Sequence, residues 1–158
     1  MKFKILFFAI ALFFGFNQLS AQECSRSLSF FAESAKVKNY DEAMKHYNTL
    51  IENCKDASIA IYQRGAIMFK DLLDEEKDPE QKKVIAKRLI ANNNARLEYF
   101  PAKTDIGSVK ADNAMIMYET KIGSVQDQLN LFDEAWTKDQ ENFTNPKAIY
   151  EYFLLMVN

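Results

Sequence analysis

The sequence predicts an all-α fold built from antiparallel helical hairpins, and three observations carry that expectation. Apolar residues recur at steps of three and four in segment after segment, which is the period of a helix with one buried face. Only four glycines and three prolines interrupt 158 residues, as suits long helices with short connections. No stretch alternates apolar and polar residues as a half-buried strand would. Abundant Phe, Tyr, Ile and Leu argue against disorder, and the chain is long enough for one domain with a substantial core.

In chain order, residues 1–22 come first: Lys2 and Lys4, the apolar run Ile5 to Phe16, and a polar segment ending in Ala21 and Gln22. This three-part layout predicts a secretory signal peptide cleaved after Ala21. The apolar run falls short of the roughly 20 residues that a membrane-spanning helix needs, so no stable membrane insertion is expected after cleavage. Glu23, where a lipid-attachment site would need a small residue, argues against acylation at Cys24. Removing Lys2 and Lys4 leaves 18 basic against 22 acidic residues, a net charge of −4 that gives nucleic acid no purchase. Residues 23–158 are read as a single helical domain.

Ser25 to Val37 and Tyr40 to Asn53 are predicted as the first hairpin, turning at Lys38-Asn39. Tyr40, Ala43, Tyr47 and Leu50 form one stripe on the second helix, with the small Ala43 permitting close helix approach. Antiparallel packing brings Cys24 and Cys54 side by side at the outer end, where a disulfide is expected in an oxidising compartment. A redox pair and a metal site are the rival readings. Cys-x-x-Cys spacing is absent and His46 is the only histidine.

A third helix carries Ile59, Tyr62, Ala66, Phe69 and Leu73, with Gly65 beside that stripe. Asp78-Pro79 joins an N-cap to a proline at the first helical position, opening a fourth helix that runs to Phe100-Pro101. Asn92-Asn93-Asn94 weakens its middle. Ser108 to Lys121 is the fifth helix, closed by Gly123. Ser124 and Asp127 make a capping box that opens a sixth, bearing Leu129, Phe132, Ala135 and Trp136. Asn145-Pro146 starts a last helix with Ile149, Tyr152, Phe153 and Met156 on one face.

The run Asn39-Tyr40-Asp41-Glu42-Ala43, with Tyr47 behind it, resembles the second helix of a tetratricopeptide repeat, where Gly-x-Tyr-x-x-Ala is common. Laying this helix on the sixth matches Tyr40 with Val125, Tyr47 with Phe132, Leu50 with Ala135 and Ile51 with Trp136 at an offset of 85 residues. Taking Pro101 as the end of the middle pair gives steps of 46 and 39 residues against the usual 34. Lys38 or Asn39 stands where the family has its turn glycine, the first helix lacks the Trp and Leu-Gly signals, and no proline follows Cys54. The resemblance implies a short α-solenoid of about three helix pairs plus a last helix, of the exported bacterial type. It makes Tyr40, Ala43, Tyr47, Leu50, Val125, Phe132, Ala135 and Trp136 the repeat core. It also implies a groove lined by the first helix of each pair, with Lys36 and Arg64 as polar contacts. A solenoid end needs a polar cap, so an apolar last helix is expected to be exposed and to point to a longer protein.

Chemistry-bearing motifs are sparse. A lone His46 beside a core tyrosine supplies neither a metal cluster nor a relay with a second histidine. Asp71, Asp74, Glu75, Glu76 and Asp78 are acidic enough to attract calcium but lack EF-hand spacing and its central glycine. Nucleophile-elbow, phosphate-loop and zinc-protease motifs are missing. The expectation is therefore a non-enzymatic scaffold without cofactor, binding a protein or peptide in the periplasm or outside the cell. The alternative is a small secreted helical bundle with a structural or envelope-stress role.

Overall fold

The computed structural model describes residues 21–157, and the predicted signal segment up to residue 20 lies outside them. The described residues are all-helical, with α1 (21–36), α2 (Tyr40–Asn53), α3 (Ala60–Glu75), α4 (Pro79–Tyr99), α5 (Ile106–Thr120), α6 (Val125–Asp139) and α7 (Pro146–Val157). Short 3-10 turns, Pro101–Lys103 and Gln140–Asn142, follow α4 and α6. The chain divides into two compact units, Met1–Ile61 and Tyr62–Asn158, with the boundary in the first turn of α3.

The first unit is the hairpin α1–α2. Cys24 is bonded to Cys54, Phe30 stacks on His46, and the Phe31 and Tyr47 rings lie 5.7 Å apart. Cys24 near the start of α1 meets Cys54 just past the end of α2, whereas Phe30 and Phe31 further along α1 meet His46 and Tyr47 in the middle of α2, so the two helices are antiparallel. Phe31, Ala43 and Leu50 are fully buried and Tyr47 nearly so, whereas Tyr40 is half-buried at the hairpin mouth. The turn reverses at Lys38, whose φ of 58° is a left-handed conformation that a glycine adopts at less cost. The Asn39 N–H donates to Ser34 O at 2.9 Å, and the Asn39 side chain accepts from the Glu42 N–H to start α2.

In the second unit α3 and α4 run antiparallel. The Tyr62 ring faces Tyr99 at 6.2 Å near one end, and the Arg88 guanidinium lies 5.2 Å over Phe69 further along. The Asp78 carboxylate accepts from the Glu80 and Gln81 N–H groups ahead of Pro79, so α4 begins where its sequence signal stands. The Asn92-Asn93-Asn94 triplet does not interrupt the helix. Asn92 donates to Tyr62 O at 2.9 Å, Asn93 donates to the Asn113 side chain at 2.9 Å, and Asn113 donates to Asn94 at 3.0 Å. Three of these four amides are buried, so each needs the partner it has found.

Helix α5 packs against α4, α6, α7 and the 3-10 turn after α6. Its contact face uses small residues, Gly107, Ala111 and Ala114, which let α6 approach closely. Ala111 and Ala114, together with Met115, Phe132, Ala135, Phe143 and Ala148, form one buried apolar cluster of this unit, covered by Leu131, Tyr152 and Leu155. The α5 C-terminus corrects one expectation: the left-handed cap residue is Lys121, at φ 55°, and Gly123 at φ 71° shapes the turn after it. Ser124 and Asp127 form the reciprocal capping box, and the Asn145 side chain accepts from the Lys147 and Ala148 N–H groups at the start of α7.

Two residues assigned to a repeat core lie outside it. Val125 is exposed because it occupies the first turn of α6, just past the Ser124 cap. Trp136 follows the buried Ala135 by about 100° of helix rotation and leans edge-on against Phe143, leaving it 42% exposed. Phe30, Tyr118, Tyr150 and Phe153 are likewise at the surface. On α7 Ile149, Phe153 and Met156 are exposed while Tyr152 packs on Phe132 and Phe143.

Candidate functional site

The concavity with the most chemical character lies within the second unit. Leu73 of α3, Leu89 of α4, and Met115 and Ile116 of α5 form its apolar floor. Lys70, Asp74, Asp112, Glu119 and Lys147 form its rim, with Asn145 at the mouth. Helical periodicity explains the division. Lys70 and Leu73 lie one turn apart on α3, as do Asp112, Met115 and Glu119 on α5, so each helix presents an apolar floor residue and a charge at the lip.

The rim charges are already paired. Lys70 Nζ lies 3.0 Å from Asp112 Oδ2, and Lys147 is ion-paired with Glu119, whose hydrogen bond raises the lysine pKa above its usual value. All four side chains are more than a third exposed, and such pairs contribute about 0–1 kcal/mol each, so a ligand carrying its own charges can exchange partners with them at little cost. The cleft volume, about 220 Å³, is below the roughly 300–1,000 Å³ typical of small-molecule and cofactor pockets. It suits one or two apolar side chains presented by a larger molecule.

Comparison of the chain with known protein families, curated proteins and solved structures finds no match.

In the hairpin unit a larger hollow of about 750 Å³ surrounds the disulfide, lined mainly by small or polar residues such as Ser25, Asn53 and Ser58. His46 stacks on Phe30, which in turn lies under the Arg26 guanidinium at 5.4 Å, and His46 Nε2 stands 3.4 Å from Glu42 Oε1. The Glu42 carboxyl is held below its usual range, first by its hydrogen bond from Lys45. This is a solvated helix face with ring stacking. Among the described residues no group of three or more His, Cys, Asp or Glu side chains is placed to hold a metal ion. In the acidic run, Glu76 accepts from the Lys77 and Asp78 N–H groups while Asp78 caps α4.

Lys36 and Arg64 are both exposed and belong to different units, Lys36 at the end of α1 and Arg64 on α3. No motif in the sequence joins the cleft residues. Lys70 and Lys147 are 77 positions apart, and only the folding of α3, α5 and α7 brings them to one rim.

Proposed function

We propose that this chain is a non-enzymatic interaction protein of the bacterial envelope, a tetratricopeptide-like scaffold that recognises a segment of another protein by surface complementarity. The observation that carries the reading is the cleft of Leu73, Leu89, Met115 and Ile116, an apolar floor inside a rim of exchangeable ion pairs. A peptide presenting an apolar anchor flanked by charges of both signs satisfies floor and rim together. The Cys24–Cys54 disulfide supports an exported protein, since such bonds persist in oxidising compartments. No helix among the described residues is long and apolar enough to cross a membrane.

The test is affinity capture from envelope extract with three baits: the native chain, Lys70→Glu combined with Lys147→Glu, and Cys24→Ser combined with Cys54→Ser. A partner held by the native chain and lost on rim reversal supports the reading. Equal retention by the rim variant would remove the cleft from recognition. The second reading, a helical bundle without a groove, draws on α5, which packs against α4, α6 and α7. It predicts a closed globule by small-angle scattering and no partner from any bait.

A further inference from the structure

Helix α7 is apolar on two opposite faces. One, made by Ala148, Tyr152 and Leu155, packs on the core of the second unit. The other consists of Ile149, Tyr150, Phe153, Met156 and Val157, which are 40%, 58%, 55%, 55% and 60% exposed. Neither charged residue of α7 faces outward unpaired: Lys147 is bound to Glu119, and Glu151 is buried with a hydrogen bond to Tyr118. A helix with apolar side chains on opposite faces has the pattern of a buried helix, and its outer face is one that a partner surface would bury.

We propose that the cover is a second copy of this chain, docked by antiparallel pairing of α7 with α7 about a twofold axis at Phe153. The exposed set is symmetric about that residue, with Ile149 and Tyr150 on one side and Met156 and Val157 equally spaced on the other. Twofold pairing therefore sets Phe153 on Phe153, Tyr150 on Met156 of the second copy, and Ile149 on Val157 of the second copy. Each contact occurs twice, as an isologous interface requires. Ring against ring and thioether against ring are favourable contacts beyond their burial.

Area supports the choice. The five residues expose about 500–600 Å² per copy, so a twofold interface made by them hides at most about 1,000–1,200 Å², near the threshold for a specific dimer. A single monomer patch of that size is already at the top of the normal range, about 300–600 Å². A membrane surface is the poorer cover, because interfacial helices carry several Lys or Arg on their polar face and α7 has only Lys147, already paired. The dimer stands independently of the cleft and of any partner bound there.

Sedimentation of the full chain from roughly 1 to 100 µM, the range in which small interfaces associate, tests this directly. A concentration-dependent dimer is expected, with Phe153→Asp weakening dimerisation by at least about 30-fold at unchanged helical content. Both native cysteines are bonded to each other, so Phe153→Cys carries the one free thiol and should form a covalent dimer on mild oxidation. A Gln81→Cys control should not. If Phe153→Asp fails to fold, the cross-link decides alone. A folded chain that stays monomeric throughout, a dimer indifferent to Phe153→Asp, or a monomer that floats with phosphatidylcholine vesicles would overturn the proposal.

Discussion

Gly107 and Asp139 show how much of the second unit rests on single atoms. A Cβ on Gly107 would lie 2.1 Å from the Asp139 carbonyl oxygen and 3.0 Å from the Phe143 nitrogen, both backbone atoms that no rotamer change can move. Gly107→Ala must therefore push α5 away from the end of α6. A loss of about 2–3 kcal/mol is expected, at the upper end for overpacking, read by chemical denaturation. A change below about 0.5 kcal/mol, the size of an ordinary surface substitution, would mean that the helices are not held this close. Beside it, Asp139 Oδ2 accepts the Gly107 N–H at 2.9 Å, capping α5 from a distance while the adjacent Asp105 makes no side-chain cap. That bond lowers the Asp139 carboxyl below its ordinary value of 3.8. A group depressed in the folded state stabilises above its unfolded pKa and loses that contribution as the pH falls through the folded one. Asp139→Asn should thus lower the melting temperature at neutral pH, and the gap to wild type should close progressively below pH 3.8. A gap that persists into strong acid would assign the effect to packing.

Among elements, the contact between α4 and α5 is unusual in having amides at its centre. Asn113 is fully buried, donating to Asn94 and accepting from Asn93, which is itself buried. Asn113→Leu is expected to cost about 1–3 kcal/mol because it strands the buried Asn93 donor. Adding Asn93→Leu should recover part of that loss by removing the orphan, and a strictly additive double variant would show that the amides do not act together. The same contact marks the limit of what the sequence made legible. Helix positions followed from local signals: Asp78-Pro79, Ser124 with Asp127, and Asn145-Pro146 each start a helix where they stand. The asparagine triplet, locally a weak helix former, is helical because tertiary hydrogen bonds override its propensity. The Asp139 cap reaches across 32 residues and leaves no local trace. Val125 and Trp136 lie at the surface for a related reason. A match at an offset of 85 residues carries over a residue type without the neighbours that would bury it.

At the scale of the whole molecule, the two units differ in how they can be stable. The described part of the hairpin unit, residues 21–61, is close to the length of about 40 residues below which a chain usually needs a disulfide, a metal or a partner. Its buried apolar residues are few: Phe31, Ala43, Tyr47, Leu50 and Ile61, with Cys54 beside them. The second unit has a broader core around Phe132 and Phe143 and contains no cysteine. Cys24–Cys54 spans 30 positions, and closing a loop of that length stabilises by about 3–4 kcal/mol in the chain-entropy picture. That is comparable to all the stability such a small core supplies by itself. Replacing both cysteines by serine should therefore act unevenly. Hydrogen exchange followed by mass spectrometry is expected to show protection collapsing over Tyr40–Asn53 while Ile106–Thr120 and Val125–Asp139 keep theirs. Equal loss along the chain would mean that the disulfide stabilises a single cooperative fold, and unchanged protection over Tyr40–Asn53 would mean that Phe31, Tyr47 and Leu50 hold the hairpin unaided.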